Sequence, residues 1–191
     1  MTDAVSDALG AALLQIAREA LELHFRRLRA PHPLPDLPEL ARPGASFVTL
    51  TQSGRLRGCI GSLEAWRTLA SDVRENALSA ALRDPRFSPL RAGELARTRI
   101  EVSRLSPPQP LPCRSEEELR ARLTPGVDGV ILRAGRQCAT FLPQVWEQLP
   151  DPEAFIAHLR QKAGLPLRHP IWEERIEIYR VDSWQEAPPA P

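Results

Sequence analysis

Leu9, Leu13, Ile16, Ala17, Ala20 and Leu28 recur at near-helical spacing behind Ser6. This predicts an amphipathic first helix capped at Ser6 and ending before Pro31, with its apolar face against a sheet. Pro31, Pro33, Pro35, Pro38 and Pro43 then predict an extended surface linker without strand pairing. Phe47–Leu50 reads as a strand, Thr51-Gln52-Ser53-Gly54 as a turn, and Leu56–Ile60 as the returning strand of a hairpin. Strict alternation puts Arg57 and Cys59 on one face, with Leu56, Gly58 and Ile60 on the other.

Further along, Thr68 is placed to cap a helix whose stripe of Leu69, Val73, Ala77, Ala80 and Ala81 allows close packing on a sheet, and Pro85 stops it. Ile100–Leu105 alternates as a strand, placing Glu101 and Ser103 on one face. Pro107, Pro108, Pro110 and Pro112 form a second stiff stretch, and the two proline stretches mark the expected lobe boundaries. Ser115-Glu116-Glu117-Glu118 opens a short helix through Leu123. A second hairpin joins Gly129–Leu132 to Cys138–Leu142, and Asp151-Pro152 starts a helix ending at Gly164. Ile176–Val181 reads as the terminal strand, followed by a frayed tail at 188–191.

The chain has 191 residues, 42% hydrophobic and 26% charged, which suits one evolutionary domain spanning 1–187. A net charge of +1 gives no global field toward nucleic acid or an anionic membrane. Lys162 is the sole lysine, so the basic residues are almost all arginine forks suited to carboxylates and phosphates. The acidic start and the lack of a long apolar run lead us to expect a cytoplasmic protein that does not cross a membrane. Cys59, Cys113 and Cys138 are an odd, widely spaced set that fits reduced thiols, and without CxxC or paired histidines no metal or other cofactor is expected.

The chemistry concentrates around Leu56-Arg57-Gly58-Cys59-Ile60-Gly61-Ser62-Leu63, where a thiol stands between two glycines at a strand end. Arg57, on the face assigned to Cys59, is the expected electrostatic partner of a thiolate. The rigid loop Asp84-Pro85-Arg86-Phe87-Ser88-Pro89-Leu90 offers opposite charges about its first proline. Each residue also has a bland reading. Cys59 serves as a small apolar-like filler, Asp84 as a cap, and Arg86 with Glu101 as an internal ion pair. Phe141, Trp146, Trp172 and Trp184 read mainly as core filling, and His169 is a remote, loop-borne imidazole.

The blocks Leu56–Gly61, Asp84–Leu90, Glu101-Val102-Ser103, Phe141-Leu142-Pro143-Gln144-Val145 and Lys162-Ala163-Gly164-Leu165 together resemble the AMMECR family in order over nearly the whole chain. Bacterial and archaeal members are also called AmmeMemoRadiSam system protein A. The resemblance implies an α+β fold, an antiparallel sheet flanked by helices, with two unequal lobes and a cleft between them. The larger lobe would hold both termini. It also implies a pathway shared with Memo-like and radical S-adenosylmethionine proteins as partners.

Two functional classes follow. In the first, Cys59 is a nucleophile or covalent carrier and Glu101 a general acid or base. Arg57 lowers the thiol pKa, N–H groups near Gly58 and Gly61 stabilise an oxyanion, and Arg86, held by Asp84, anchors an anionic small molecule or peptide. In the second, the chain is a non-catalytic module that binds a partner protein, with nucleic acid the less favoured variant and Cys59 kept for packing.

Overall fold

The computed structural model describes residues 2–188. Two compact units divide the chain: one runs through Leu105 and resumes at Asp182, and the other comprises Ser106–Val181. Each carries a four-stranded sheet with antiparallel pairing, so the fold is α+β.

In the first unit, α1 (Thr2–His24) and α3 (Leu69–Leu82) pack on a sheet of β1 (Ala45–Gln52), β2 (Arg55–Gly61), β3 (Arg99–Leu105) and the last strand, β8 (Val181–Gln185). The sheet order is β2-β1-β3-β8, which leaves β2 at an edge. Val48, Leu50, Ile100 and Val102 share one buried cluster with Leu13, Ile16 and Leu21 of α1 and Val73, Ala77 and Ala80 of α3. The alternate positions, including Phe47, Thr49, Cys59 and Glu101, therefore lie on the face without helices.

Thr68 caps α3 by accepting a hydrogen bond from the Ser71 amide, as its position before the small-residue stripe predicts. The hairpin turn has positive φ at both Ser53 (49°) and Gly54 (75°), the backbone a tight two-residue turn needs. α1 differs from expectation at both ends. It begins before Ser6, which therefore does not cap it, and it stops at His24 because Arg26 adopts a φ of 57°, leaving Leu28 beyond the helix.

The Pro31–Pro43 stretch is not a bare surface linker. Leu34 and Leu37 pack on the core, Pro38–Ala41 forms the short helix α2 with Leu40 buried, and Pro43 bridges to Thr68. Proline at the start of a helix costs no hydrogen bond, which is how α2 survives in so proline-rich a segment.

The second unit holds β4 (Gln109–Pro110), α4 (Glu116–Arg122), β5 (Gly129–Ala134), β6 (Gln137–Phe141), α5 (Pro152–Ala163) and β7 (Arg175–Tyr179), with sheet order β4-β7-β5-β6. Its core gathers Leu119, Leu132, Phe155 and Leu159, and Trp146 stacks on Phe155 with ring centroids 3.7 Å apart. Asp151 caps α5 and Gly164 ends it in the left-handed region.

The expected terminal strand Ile176–Val181 is two strands in two sheets: β7 closes in the second unit, and the chain after Arg180 enters the first as β8. β8 is mostly exposed and polar, so periodicity does not announce it. It is held instead by Trp184, whose ring fills the space over Gly10, and by Glu186, which accepts from the Ile100 amide and pairs with Arg18. Of the tail expected to fray, residues 189–191 lie outside the described residues.

A Cβ on Gly58 would stand 2.1 Å from the Ala80 carbonyl oxygen, so β2 lies directly on the α3 backbone. Gly58→Ala is expected to lower stability by about 1–3 kcal/mol, because neither backbone can yield cheaply. Denaturant midpoints check this, and an unchanged midpoint would refute the contact.

Candidate functional site

Cys59 faces Thr49 across β2 and β1, and its amide donates to Asp84 Oδ2 at 2.8 Å rather than into the ladder. The amide thus points off the sheet edge, making Thr49 and Cys59 the closer, non-hydrogen-bonded kind of cross-strand pair. Arg86 completes a clamp. Its Nε and Nη2 donate to Asp84 at 3.0 and 2.7 Å, and Nη2 also donates to the Cys59 carbonyl at 3.2 Å. The Asp84–Arg86 pair therefore occupies both backbone groups that an edge strand would otherwise leave open at Cys59.

Asp84 is buried, and its carboxyl pKa lies well below the usual range. The Arg86 hydrogen bonds are the chief cause, helped by the Cys59 amide and opposed by burial. Arg86 is correspondingly raised, chiefly by its hydrogen bonds to Asp84 and against the opposing effect of burial. Its side chain is 55% exposed, and among the described residues Nη1 has no hydrogen-bond partner, so one donor of the clamp remains free.

The Cys59 side chain is half-buried on the helix-free face, where the Thr49 hydroxyl donates to its sulfur at 3.3 Å. Thr49 also faces Glu101 on β3, so Cys59, Thr49 and Glu101 form one row across three strands. Two strand spacings separate the ends of that row by roughly 10 Å, too far for the Glu101 carboxylate to meet the thiol directly. Among the described residues the Glu101 carboxylate has no hydrogen-bond or ion-pair partner, and the expected ion pair with Arg86 does not form because Asp84 holds that guanidinium. Phe47 and Gly61 form part of the adjacent row, and the Phe47 ring fills the space that a side chain on Gly61 would need.

Arg57 departs from the expected pairing. The register shifts between Leu50 and Thr51, so Arg57 falls in a bulge where alternation fails. Its guanidinium bonds Glu94 through Nε (3.1 Å) and Nη2 (3.3 Å) and the Ser88 carbonyl through Nη1 (2.9 Å), tying β2 to the loop that carries Arg86. Arg57 thus supports the clamp, and Arg86 is the guanidinium that bonds the Cys59 backbone. Thr49 and Glu94 are the residues that sequence reasoning missed. Thr49 becomes visible only through the strand register, and no local motif links Arg57 to Glu94.

Beneath the exit of β2, buried Asp72 accepts from the Ser46 amide and hydroxyl, the Ser62 hydroxyl, Arg67 Nε and Asn76 Nδ2. This saturated network fixes the loop after Gly61. Ser103 likewise bonds Ser183, so its hydroxyl and that of Ser62 are both engaged. Burial raises the Cys113 thiol pKa, while Cys138 is exposed on β6. Among the described residues no cluster of three His, Cys, Asp or Glu side chains is placed to hold a metal. Nor is any described helix long and apolar enough to cross a membrane.

These features define a class: an α+β protein of two sheet-bearing units, with an edge-strand thiol clamped by an Asp-Pro-Arg loop. The chain belongs to the AMMECR1 family, which it matches over residues 14–184. A relative from Methanothermobacter thermautotrophicus is 42% identical over 178 residues, covering 91% of each chain. One from Aeropyrum pernix is 39% identical, covering 97% of this chain and 82% of its own. The crystal structure of an uncharacterized protein from Pyrococcus horikoshii superposes with a TM-score of 0.78 at 31% identity, covering 94% of this chain and 92% of that one.

The Arg57 hydrogen bonds, chiefly, hold the Glu94 pKa at about 2, below its ordinary 4.5. A depressed carboxyl pKa contributes stability that is complete above the ordinary value and is lost as pH falls through the folded one. Melting temperatures of the wild type should therefore drop between about pH 4.5 and pH 2. Glu94→Gln should melt lower at neutral pH with a shallower acid decline, whereas parallel profiles would remove this pair from the acid response.

Proposed function

We propose that the face around Cys59 binds a small molecule or peptide and that the thiol acts on it as a nucleophile or covalent carrier. The observation that carries this reading is the division of labour at one residue: Asp84 and Arg86 hold the Cys59 backbone, while its sulfur is left to a single hydroxyl donor, Thr49. The free Nη1 of Arg86 anchors an anionic group of the ligand, and the unpartnered Glu101 carboxylate exchanges a proton at its far end. Gly58 and Gly61 admit the close packing that presents this row. Arg57 supports the site from beneath the loop. The family resemblance further supports action in one pathway with Memo-like and radical S-adenosylmethionine proteins, the partners to test first.

A second reading, a non-catalytic protein-binding module, draws on Leu56, Leu63 and Trp66, which are exposed along β2 and the loop after it. Intact-mass spectrometry of the full chain after incubation with cytosolic extract separates the two. A covalent adduct mapping to Cys59, lost in Cys59→Ser and at least about tenfold weaker in Arg86→Gln, is the expected result. No adduct, with a bound partner lost from Trp66→Ala and retained by Cys59→Ser, would overturn the thiol chemistry and leave the docking module.

A further inference from the structure

The second unit carries a cavity of about 780 Å³ lined by α4, α5 and the segment Leu167–Trp172. That volume lies in the range of small-molecule sites. Its floor is rigid. Arg160, 3% exposed, donates to Glu174 through Nε and Nη2, to Glu116 through Nη2 and to the Leu167 carbonyl through Nη1, joining helix to helix and helix to loop. On the wall, Arg120 is paired with Glu153. With Glu116 and Glu153 thus neutralised, two lining guanidinia, Arg114 and Arg168, have no side-chain partner among the described residues.

Beside them stands Trp172, which is 80% exposed. This overturns its expected role as core filler, and the contrast with Trp146, 3% exposed and stacked on Phe155, is sharp. Trp172 also borders a second cavity of about 500 Å³. His169, another lining residue, has a buried Nδ1 without a hydrogen-bond partner, although Glu174 Oε1 lies 3.3 Å away. An uncovered indole and two guanidinium forks without side-chain partners line one cavity whose floor Arg160 ties together.

We propose that this cavity binds a small organic anion bearing a flat aromatic ring, the ring stacking on Trp172 and the carboxylate or phosphate bridging Arg114 and Arg168. Arginine forks match the planar oxygens of such groups, and an exposed indole gains most from a flat partner. Ring and anion must act together, because neither an isolated surface arginine nor a lone tryptophan gives a tight site. All of the lining residues belong to the second unit, so the inference stands apart from the Cys59 reading.

Isothermal titration of the full chain tests it with four probes: adenosine 5′-monophosphate, indole-3-acetate, inorganic phosphate and adenosine. At least one of the first two should bind with one-to-one stoichiometry, at least about tenfold more tightly than phosphate or adenosine alone. Trp172→Ala and Arg168→Gln, both at exposed positions, should each weaken it about tenfold while leaving the melting temperature unchanged. Binding by neither ring-bearing anion, or binding indifferent to both substitutions, would overturn the proposal. Cys59→Ser should bind as the wild type does, which keeps this result separate from the thiol chemistry.

Discussion

The clamp of Asp84 and Arg86 on the Cys59 backbone is the constraint on which the rest of the candidate site depends. An edge strand that exposes its N–H and C=O either pairs with another chain or finds local partners. Here the partners come from the loop after α3, and the loop is held in turn by Arg57, which spans from β2 to Ser88 and Glu94. Backbone, loop and cation thus fix one another, so the thiol is presented without using any of its own contacts to stay in place.

The two glycines belong to this arrangement as packing devices. Gly58 lets β2 settle on the Ala80 carbonyl of α3, and Gly61 gives the Phe47 ring room on the opposite face. Neither has the positive φ that demands glycine, in contrast to Gly54 and Gly164. The signature around Cys59 therefore encodes a close approach of strand to helix on one side and of ring to strand on the other, with the sulfur in the row between.

Much of this was legible in the chain. The hairpin, the Thr68 and Asp151 caps, the shared face of Glu101 and Ser103, and the grouping of Cys59 with Asp84 and Arg86 follow from alternation, capping chemistry and the family blocks. What escaped was long-range or non-periodic. A one-residue bulge turned Arg57 from the thiol toward Glu94, and strand register alone brings Thr49 beside Cys59. β8 was hidden because its polar residues carry no apolar period and its anchors, Gly10 and Ile100, lie far away in sequence. Trp172 shows the same limit: an aromatic at an element end reads as core until the fold leaves it uncovered.

The most direct measurement is the iodoacetamide alkylation rate of Cys59, read peptide by peptide across low denaturant concentrations in the wild type and in Asp84→Asn. If the clamp presents a thiol of the folded protein, the wild-type rate is flat well below the unfolding midpoint, and Asp84→Asn changes it under conditions where both proteins remain folded. A wild-type rate that climbs with denaturant in step with global unfolding, and that Asp84→Asn alters only through stability, would show Cys59 to be a packing residue and contradict the account.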